Sequence, residues 1–474
     1  MYGVTSVDIK GAPMSQLLER YFHLSQYGTT VRTELWAGLV TFLTMAYIIV
    51  VQPAFLSGLA FGQTTGMDAG AVMTATCLSA ALGTLIMGLW ARYPVALAPG
   101  MGQNAFFVLT VIPAAAAAGF EPAWPVALGV VFLAGALFLA VSLVGLRELL
   151  LRSVSQSLKS GISAGIGLFI ALIGLQNAGL IQAHPATLVT LNSHFTSPDL
   201  LVFFAGLIVT AVLYARHISG AILWGIIVAT LIAIAFQLSV PAATPKLEQF
   251  RLATHIVAMP PSLSPIFGHI DIAASLSRQM ITFVVIFLFM DLFDTMGSLI
   301  AVGERAGLIQ NHHLPRARQA FTADAIATVG GAYLGTSTVT CYIESIAGIE
   351  QGGRTGLMAV TVSILFLAAL FLHPVVIMIG SYPPITAAAL VLVGAMMLQS
   401  VHRIEWESPT EAVPAFLILI GIPLTYSISD GIALGFITYP LIKVLAGRRE
   451  EVSWMMGILA VLLVLYFICL RSSR

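Results

Sequence analysis

The stretch Ala98-Pro99-Gly100-Met101-Gly102-Gln103-Asn104 interrupts a long apolar run in the first half of the chain. The stretch Gly335-Thr336-Ser337-Thr338-Val339-Thr340-Cys341-Tyr342-Ile343-Glu344 does the same in the second half. Unpaired peptide groups are costly in hydrocarbon, so irregular backbone persists at membrane depth only where it is buried in protein or lines a polar cavity. One such break in each half of a chain is typical of a transporter with a central binding site.

The composition is that of a protein embedded in a membrane. Of the 474 residues, 58% are hydrophobic and 9% are charged, whereas about 25% of the residues of an ordinary soluble domain are charged. The 21 basic and 21 acidic residues balance, so we expect no basic surface for nucleic acid. The expected location is the plasma membrane, the inner membrane of a bacterium, with the lipid bilayer as a partner.

The cysteines do not predict a metal site or a disulfide. Cys77, Cys341 and Cys469 lie in apolar segments without a pairing or metal-ligand spacing. We therefore expect no metal and no cofactor. The first thirty residues lack the pattern of a cleaved signal peptide, so we expect the first membrane-spanning helix to direct insertion.

Apolar runs separated by short polar or glycine-rich breaks predict fourteen membrane-spanning segments, seven in each half. In the first half they lie near 34–57, 69–90, 96–112, 124–146, 158–180, 199–216 and 218–240. In the second half they lie near 278–303, 319–334, 336–350, 355–373, 383–401, 411–428 and 430–446. The predicted units are a cytoplasmic segment at 1–30, a first repeat at 31–240, an outer loop at 241–277, a second repeat at 278–447 and an accessory hydrophobic helix at 448–474.

The distribution of lysine and arginine predicts a cytoplasmic N-terminus. With this orientation the basic residues of the short connections fall on the inner side, as the positive-inside rule requires. The short outer loops near 58–68, 113–123, 181–198 and 374–382 contain no lysine or arginine. Because seven is an odd number, the two halves then have opposite orientations and form inverted repeats.

Asp291 and Asp294 lie within a predicted membrane-spanning helix. A charged carboxylate at mid-membrane costs about 2.5–3.5 kcal/mol on insertion scales, and intramembrane acids are functional by default. Residues three and four apart share a helix face, so we expect Asp291, Asp294 and Thr295 to point together into the protein interior. Bracing of a neighbouring helix is the structural alternative for both acids.

The polar and aromatic residues of the two breaks suit a planar, neutral heterocycle. Asn104 follows glycines that let backbone approach a ligand closely, and Gln103 adds a second amide beside it. Glu344 begins an expected half-helix, where the helix dipole favours a carboxylate, so a simple cap is its alternative role. Amides and carboxylates pair with the edges of bases. The rings of Phe106 and Tyr342 can stack on base faces, although either ring also suits the core.

Three acids are candidates for carrying a coupled ion. Carboxyl groups in a low-dielectric site favour their neutral form, so at least one of Asp291, Asp294 and Glu344 is expected to bind and release a proton. Proton symport follows as a hypothesis. No cluster of carbonyls and hydroxyls marks a dedicated sodium site, and sodium stays the alternative coupling ion.

Several motifs in a fixed order resemble one family. They are Thr41-Phe-Leu-Thr-Met-Ala-Tyr-Ile-Ile, Ala98-Pro-Gly-Met-Gly-Gln-Asn-Ala-Phe-Phe, Asp291-Leu-Phe-Asp-Thr-Met-Gly-Ser-Leu, Gly335-Thr-Ser-Thr-Val-Thr, Glu344-Ser-Ile-Ala-Gly, Gly352-Gly-Arg-Thr-Gly-Leu and Pro423-Leu-Thr-Tyr-Ser-Ile. They are similar to the AzgA-like adenine, guanine and hypoxanthine permeases of the nucleobase cation symporter group, which includes xanthine and uracil permeases. The resemblance runs from about residue 30 to residue 447.

The resemblance implies an all-helical membrane fold of seven-plus-seven inverted repeats, divided into a core and a gate domain. Its third and tenth segments contain short strands and half-helices, and the gate forms a homodimer. Purine import would follow from an elevator-like movement of the core against the gate. The implied purine contacts are Asn104, Asp291 and Glu344, with Thr295 as a further polar position and Tyr342 as a flanking aromatic. Gln103 departs from the family, in which a small apolar residue is common there.

Two other functions compete with purine import. One is an anion carrier of the related sulfate-transporter architecture, but acids rather than a basic residue mark the expected site. The other is an intramembrane aspartyl protease, because paired aspartates can act as a catalytic dyad. Asp291 and Asp294, however, share one helix, and neither lies in a Gly-x-Gly-Asp context. We therefore expect a transporter and not an enzyme.

Overall fold

The structure, a computed structural model, describes residues 14–61, 64–144, 154–185, 187–240, 243–308 and 315–466. This part of the chain is mostly helical, with a few short strands. Nine helical spans in these ranges, some of them formed by two successive helices, are long and apolar enough to cross a membrane. The chain is therefore an integral membrane protein, as its composition predicted, and the total of fourteen segments stays a prediction.

The helices of the first half precede a long connection. They are α1 (Met14–Phe22), α2 (Val31–Met45), α3 (Ile48–Leu56), α4 (Ala69–Ile86), α5 (Met101–Phe106), α6 (Ile112–Ala117), α7 (Trp124–Val144), α8 (Gln156–Asn177), α9 (Pro198–Ala215) and α10 (Ala221–Ser239). The π-helical turns Met87–Ala91 and Phe107–Val111 continue α4 and α5. One-turn helices at Pro245–Glu248 and Ile272–Ser275 lie in the connection.

The helices of the second half follow that connection. They are α11 (Ile281–Arg305), α12 (Ala317–Leu334), α13 (Ser345–Glu350), α14 (Gly356–Ala369), α15 (His373–Gly380), α16 (Pro383–Leu398), α17 (Pro409–Thr425), α18 (Ile428–Leu445) and α19 (Trp454–Tyr466). Helix α19 lies within the predicted accessory helix at 448–474, whose last residues 467–474 fall outside the described ranges. Helix α1 lies in the predicted N-terminal segment.

Many helices begin where short polar side chains precede an apolar run. Asp68, Ser155 and Ser197 each accept a hydrogen bond from a backbone N–H in the first turn of the helix that follows. These contacts satisfy N–H groups that have no partner within the helix. The starts of these three helices are therefore encoded by the residue that precedes each of them.

Strands β1 (Leu97–Pro99) and β4 (Val339–Cys341) pair in antiparallel register, Leu97 with Cys341 and Pro99 with Val339. They form inside the two stretches that interrupt the apolar runs, as predicted. Every residue of both strands is buried. The irregular backbone of each half therefore finds its hydrogen-bond partners in the other half.

A second strand pair lies in the segment that was predicted to be a short outer loop near 181–198. Strands β2 (Ile181–His184) and β3 (Leu188–Leu191) form an exposed hairpin between α8 and α9. The segment combines β-branched and apolar residues with a polar turn. Such a pattern favours a hairpin, although its shortness hid it in the sequence.

The helices pack in two groups. In one group α4 contacts α3, α12, α14 and β1, while α12 also packs on α7 and β4, and α2 packs on α13 and α14. In the other group α8 packs on α16 and α17, α9 on α10 and α16, and α17 on α18. The strands belong to the first group. The two interrupted stretches of the sequence face the second group, and the boundary between the groups lies there.

Candidate functional site

A cavity of about 1560 Å³ lies beside the paired strands. Fitted ligand pockets have volumes of roughly 300–1,000 Å³, so this cavity is a vestibule with room for solvent. Near the strands its wall consists of Thr44, Tyr47, Gly100, Met101, Gly102, Gln103, Asp294, Thr340, Cys341, Tyr342 and Glu344. Other helix ends and loops contribute further charged and polar lining residues, among them Gln156, Lys159, His217, Arg305, Glu350, Gln351, Gln399, His402 and Arg403.

The strands and their half-helices bring both interrupted stretches to this wall. The Gly100 N–H donates to the Thr338 carbonyl at 3.0 Å, and the Tyr342 N–H donates to the Ala96 carbonyl at 2.9 Å. These hydrogen bonds satisfy backbone that would otherwise be unpaired within the membrane. Helices α5 and α13 then begin directly after the strands, so each presents its first turn to the cavity.

Glu344 occupies the N-cap position of α13 and lines the cavity. Its Oε1 accepts a hydrogen bond of 2.9 Å from the hydroxyl of Tyr47, which lies at the turn between α2 and α3. The side chain is half-buried. Glu344 therefore combines one fixed donor with an open face toward the cavity, as a ligand-binding acid requires.

Gln103 and Asp294 form the second polar pair of the cavity wall. The Gln103 Nε2 donates to Asp294 Oδ2 at 3.1 Å. Asp294 is exposed to the cavity, whose wall also includes Glu344. The wall thus holds two acids and one amide whose oxygens and N–H groups can meet the edge of a polar heterocycle.

Asn104, an expected contact, points away from the cavity. It is fully buried, its Nδ2 contacts Gln52 Oε1, and its Oδ1 accepts from the Ser337 hydroxyl. Gln52 in turn donates to Thr336 Oγ1 at 2.9 Å. Asn104 therefore ties α5 to α3 and to the second break, and its neighbour Gln103 takes the cavity-facing position.

Asp291 also lies outside the cavity wall. It is 1% exposed, and its Oδ2 accepts a hydrogen bond of 3.0 Å from the Thr328 hydroxyl of α12. The same hydroxyl lies 3.0 Å from the carbonyl oxygen of Val339 in β4. The structure thus separates the two acids of α11, with Asp291 toward the protein interior and Asp294 toward the cavity.

Thr295 is held between α11, α12 and β4. Its hydroxyl donates to Asp324 Oδ2 at 2.7 Å and lies 3.1 Å from the Thr340 hydroxyl. The Cys341 thiol lies 3.3 Å from the other oxygen of Asp324. Thr295 is fully buried, so it supports the strand that lines the cavity rather than lining the cavity itself.

The two aromatic candidates differ in their surroundings. Tyr342 lines the cavity, and its hydroxyl donates to the Pro99 carbonyl at 2.5 Å. Phe106 is fully buried and packs against Phe283 and Phe287 of α11, with ring centroids 6.1 and 4.9 Å away. Tyr342 is therefore available to flank a ligand, whereas Phe106 belongs to the core.

Sequence reasoning missed Tyr47, Gln52 and Asp324. Asp324 is fully buried within the alanine- and threonine-rich helix α12. The rule that drew attention to Asp291 and Asp294, an acid inside a membrane-spanning helix, applies equally to Asp324 and could have found it. Tyr47 and Gln52 gave no such signal, because an isolated polar residue in an apolar helix has many structural uses.

Known proteins that resemble this chain are membrane transporters. The model of the permease family Xan_ur_permease matches residues 32–434. The guanine/hypoxanthine permease PbuG of Bacillus subtilis (strain 168) is 42% identical, over 96% of this chain and 100% of that protein. The adenine permease AdeP of Escherichia coli (strain K12) is 41% identical, over 95% of each chain.

A solved structure shares the fold at much lower identity. The transmembrane domain of a cyanobacterium bicarbonate transporter, BicA, aligns with a TM-score of 0.59 and 14% identity, covering 85% of this chain and 97% of that one. At this identity the likeness concerns architecture alone. The family follows from the sequence match: the chain belongs to the permease family of xanthine and uracil permeases, whose members are transporters and not enzymes.

Proposed function

We propose that this protein is a secondary transporter that imports purine nucleobases, with adenine, guanine and hypoxanthine as the candidate substrates. Relatives that are 41–42% identical over nearly their whole length carry the names of permeases for these bases. Such similarity supports the substrate class. It leaves the preferred purine open, because one of these relatives is named for adenine and the other for guanine and hypoxanthine.

The observation that carries the proposal is the pair of polar contacts beside the strands. Gln103 with Asp294, and Tyr47 with Glu344, form two hydrogen-bonded pairs in one cavity wall. Carboxylates accept from ring and exocyclic N–H groups, and an amide both donates and accepts. Tyr342 supplies a ring beside them. This asymmetric set suits the uneven donor and acceptor pattern of a purine.

Asn104, Asp291 and Thr295 are proposed to act from behind this wall. Each contacts a residue of a neighbouring helix or break, and none lines the cavity. Their substitution is expected to weaken transport by shifting Gln103, Asp294 or β4. In this arrangement the base contacts Gln103, Asp294, Glu344 and Tyr342.

We propose that the structure represents a state open to the cytoplasm. The cavity lining includes Lys159, Arg305 and Arg403, and basic residues gather on the cytoplasmic side of membrane proteins. The positive-inside rule also supports a cytoplasmic N-terminus. With seven segments in each half, this orientation supports the proposed inverted repeats.

Transport is proposed to follow an elevator-like path. The group of helices that carries β1 and β4 would act as the core, and α8, α9, α10, α16, α17 and α18 would act as the gate. The cavity lies at the boundary of these groups, so sliding one past the other would expose the same wall to the opposite side. A homodimer formed through the gate would hold that group still in the bilayer.

A proton is the proposed coupling ion, with Asp294 and Glu344 as its carriers at the cavity and Asp291 behind them. Two acids in one cavity wall are more easily accommodated when one of them is neutral. Sodium is the alternative, and a protonophore distinguishes the two. No further cofactor is proposed.

The deciding experiment is an uptake panel in a bacterial strain that lacks its own purine transporters. Radiolabelled adenine, guanine, hypoxanthine, xanthine, uracil, sulfate and bicarbonate would be offered to cells that make the full chain. We expect saturable uptake of at least one of the first three bases. Uptake of sulfate or bicarbonate without any purine would refute the proposal and favour the anion carrier.

Two variants connect the panel to the site. Glu344→Gln and Asp294→Asn are expected to abolish uptake while the amount of protein in the membrane stays unchanged. Glu350→Gln, an exposed acid farther along the same vestibule, is the matched control and should transport normally. Normal uptake by both site variants would overturn the assignment.

A further inference from the structure

The side chain of Glu34, in the first turn of α2, is fully buried against the loop that follows half-helix α13. Its carboxylate accepts hydrogen bonds from the backbone N–H groups of Arg354 (2.8 Å), Thr355 (3.3 Å) and Met358 (3.1 Å). Hydrogen bonds to an ionised acceptor are roughly twice as strong as neutral ones. One side chain therefore holds the end of this loop and the first turn of α14.

Two further contacts fix the same loop. The Thr29 hydroxyl, just before α2, donates to the Gly352 carbonyl at 3.3 Å. The guanidinium of Arg354 donates to the carbonyl of Gly353 at 2.7 Å and also contacts the carbonyl of Ile349 inside α13. Thr29, Glu34 and Arg354 thus form a clamp, here called the Glu34 clamp, on the C-terminal end of α13.

Half-helix α13 also rests directly on α2. A Cβ atom added at Gly348 would lie 2.4 Å from the Ala37 carbonyl oxygen and 2.2 Å from the Thr41 hydroxyl oxygen. These separations leave no space for a side chain, so the two backbones are in close contact. Any shift of the clamped loop must therefore move α13 along or away from α2.

The other end of α13 begins at Glu344, in the cavity wall. At 1.5 Å per residue a six-residue helix is about 9 Å long, so its two ends lie close together. We propose that Glu34 is a positioning residue for Glu344: by holding the far end of α13 it sets where the Glu344 carboxylate meets the substrate. This inference rests on the proposed purine transport.

The test compares Glu34→Gln with a matched control, Glu19→Gln. Glu19 also accepts a backbone hydrogen bond, from the Ser25 N–H at 2.9 Å, but it is only half-buried and lies on α1, away from the loop that Glu34 holds. Uptake of the purine that the unaltered protein carries best would be measured over a concentration series, with membrane abundance determined by immunoblot. We expect Glu34→Gln to raise KM at least fivefold at unchanged abundance, and Glu19→Gln to leave KM within twofold.

A merely structural Glu34 would behave differently. It would lower abundance and maximal rate together and leave KM unchanged, and that result would overturn the inference. If Glu34→Gln does not accumulate in the membrane, Thr29→Val replaces it, because this variant removes only the weaker hydrogen bond to the Gly352 carbonyl. An unchanged KM in Thr29→Val would also overturn the inference.

A double variant adds an independent readout. Both Glu34→Gln and Tyr47→Phe are expected to act on Glu344, so their effects on KM should combine to less than their product. Fully multiplicative effects would contradict the inference. Absence of purine uptake by the unaltered protein would instead refute the proposed function, so the two failures are distinguishable.

Discussion

Removal of the Tyr47 hydroxyl isolates the hydrogen bond that supports the cavity-facing acid. In Tyr47→Phe the ring stays and the 2.9 Å donor to Glu344 Oε1 is lost. A hydrogen bond to a charged group contributes about 1.5–3 kcal/mol. Because Glu344 is half-buried and open to the cavity, water can replace part of the lost contact, which favours the lower end of that range.

A loss of about 1.5 kcal/mol corresponds to roughly a tenfold change in an equilibrium constant. We therefore expect the ratio of maximal uptake rate to KM to fall roughly tenfold in Tyr47→Phe. The assay is initial-rate uptake of the preferred purine in the transporter-deficient strain, normalised to the amount of protein in the membrane.

Tyr426→Phe is the matched control. It removes a tyrosine hydroxyl that donates to Gln176 Oε1, also at 2.9 Å, at an exposed place in the other group of helices. This variant should stay within twofold of the unaltered protein. A ratio in Tyr47→Phe that is also within twofold would refute the reasoning that Glu344 binds substrate from the position that Tyr47 gives it.

Three further predictions follow from other contacts. Lys443→Met should destabilise the detergent-purified protein by about 3–5 kcal/mol, measured as a lower Tm. The reason is that the Lys443 side chain is 2% exposed and pairs with buried Glu411 at 2.9 Å. The control Glu451→Gln removes only the exposed partner of Lys443 and should change Tm much less. Asp324→Asn should reduce uptake roughly tenfold, because an amide NH₂ would face the Thr295 hydroxyl or the Cys341 thiol, which now donate to the carboxylate. Two donors that face each other in this way cost about 1–3 kcal/mol. Normal uptake would contradict the supporting role of Asp324. A protonophore should collapse purine accumulation while replacement of sodium by potassium leaves it unchanged, and the reverse pattern would assign coupling to sodium.

Large parts of the fold could be predicted from the sequence because membrane insertion imposes simple rules. Apolar length predicted the long helices, and the polar breaks near Gly100 and Thr338 predicted irregular backbone in each half. The pairing of the breaks through β1 and β4 agrees with that expectation. The exposed hairpin between α8 and α9 was missed, because it lies outside the membrane where those rules do not apply.

The site could be predicted only to within a few residues. Both interrupted stretches and α11 reach the cavity, yet Gln103 rather than Asn104, and Asp294 rather than Asp291, line it. Successive helix residues differ by about 100° in direction, and residues three apart by about 60°. Because α5 and α11 have protein on the side opposite the cavity, polar residues occur on both faces. Periodicity therefore could not identify the face that meets the substrate.

The pairing of β1 with β4 has a consequence for how the protein is made. The contact between the Ala96 N–H and the Ser345 hydroxyl, beside these strands, joins residues that are 249 positions apart. At about 5–20 residues per second, roughly 12–50 s of synthesis separate the two sides of this contact. Throughout that interval the polar backbone of the first half is without its partner strand. The nascent first half must then be sheltered from lipid until the second half is synthesised. If the ribosome stalls between the halves, we expect the truncated chain to be degraded, because it cannot insert stably in the bilayer.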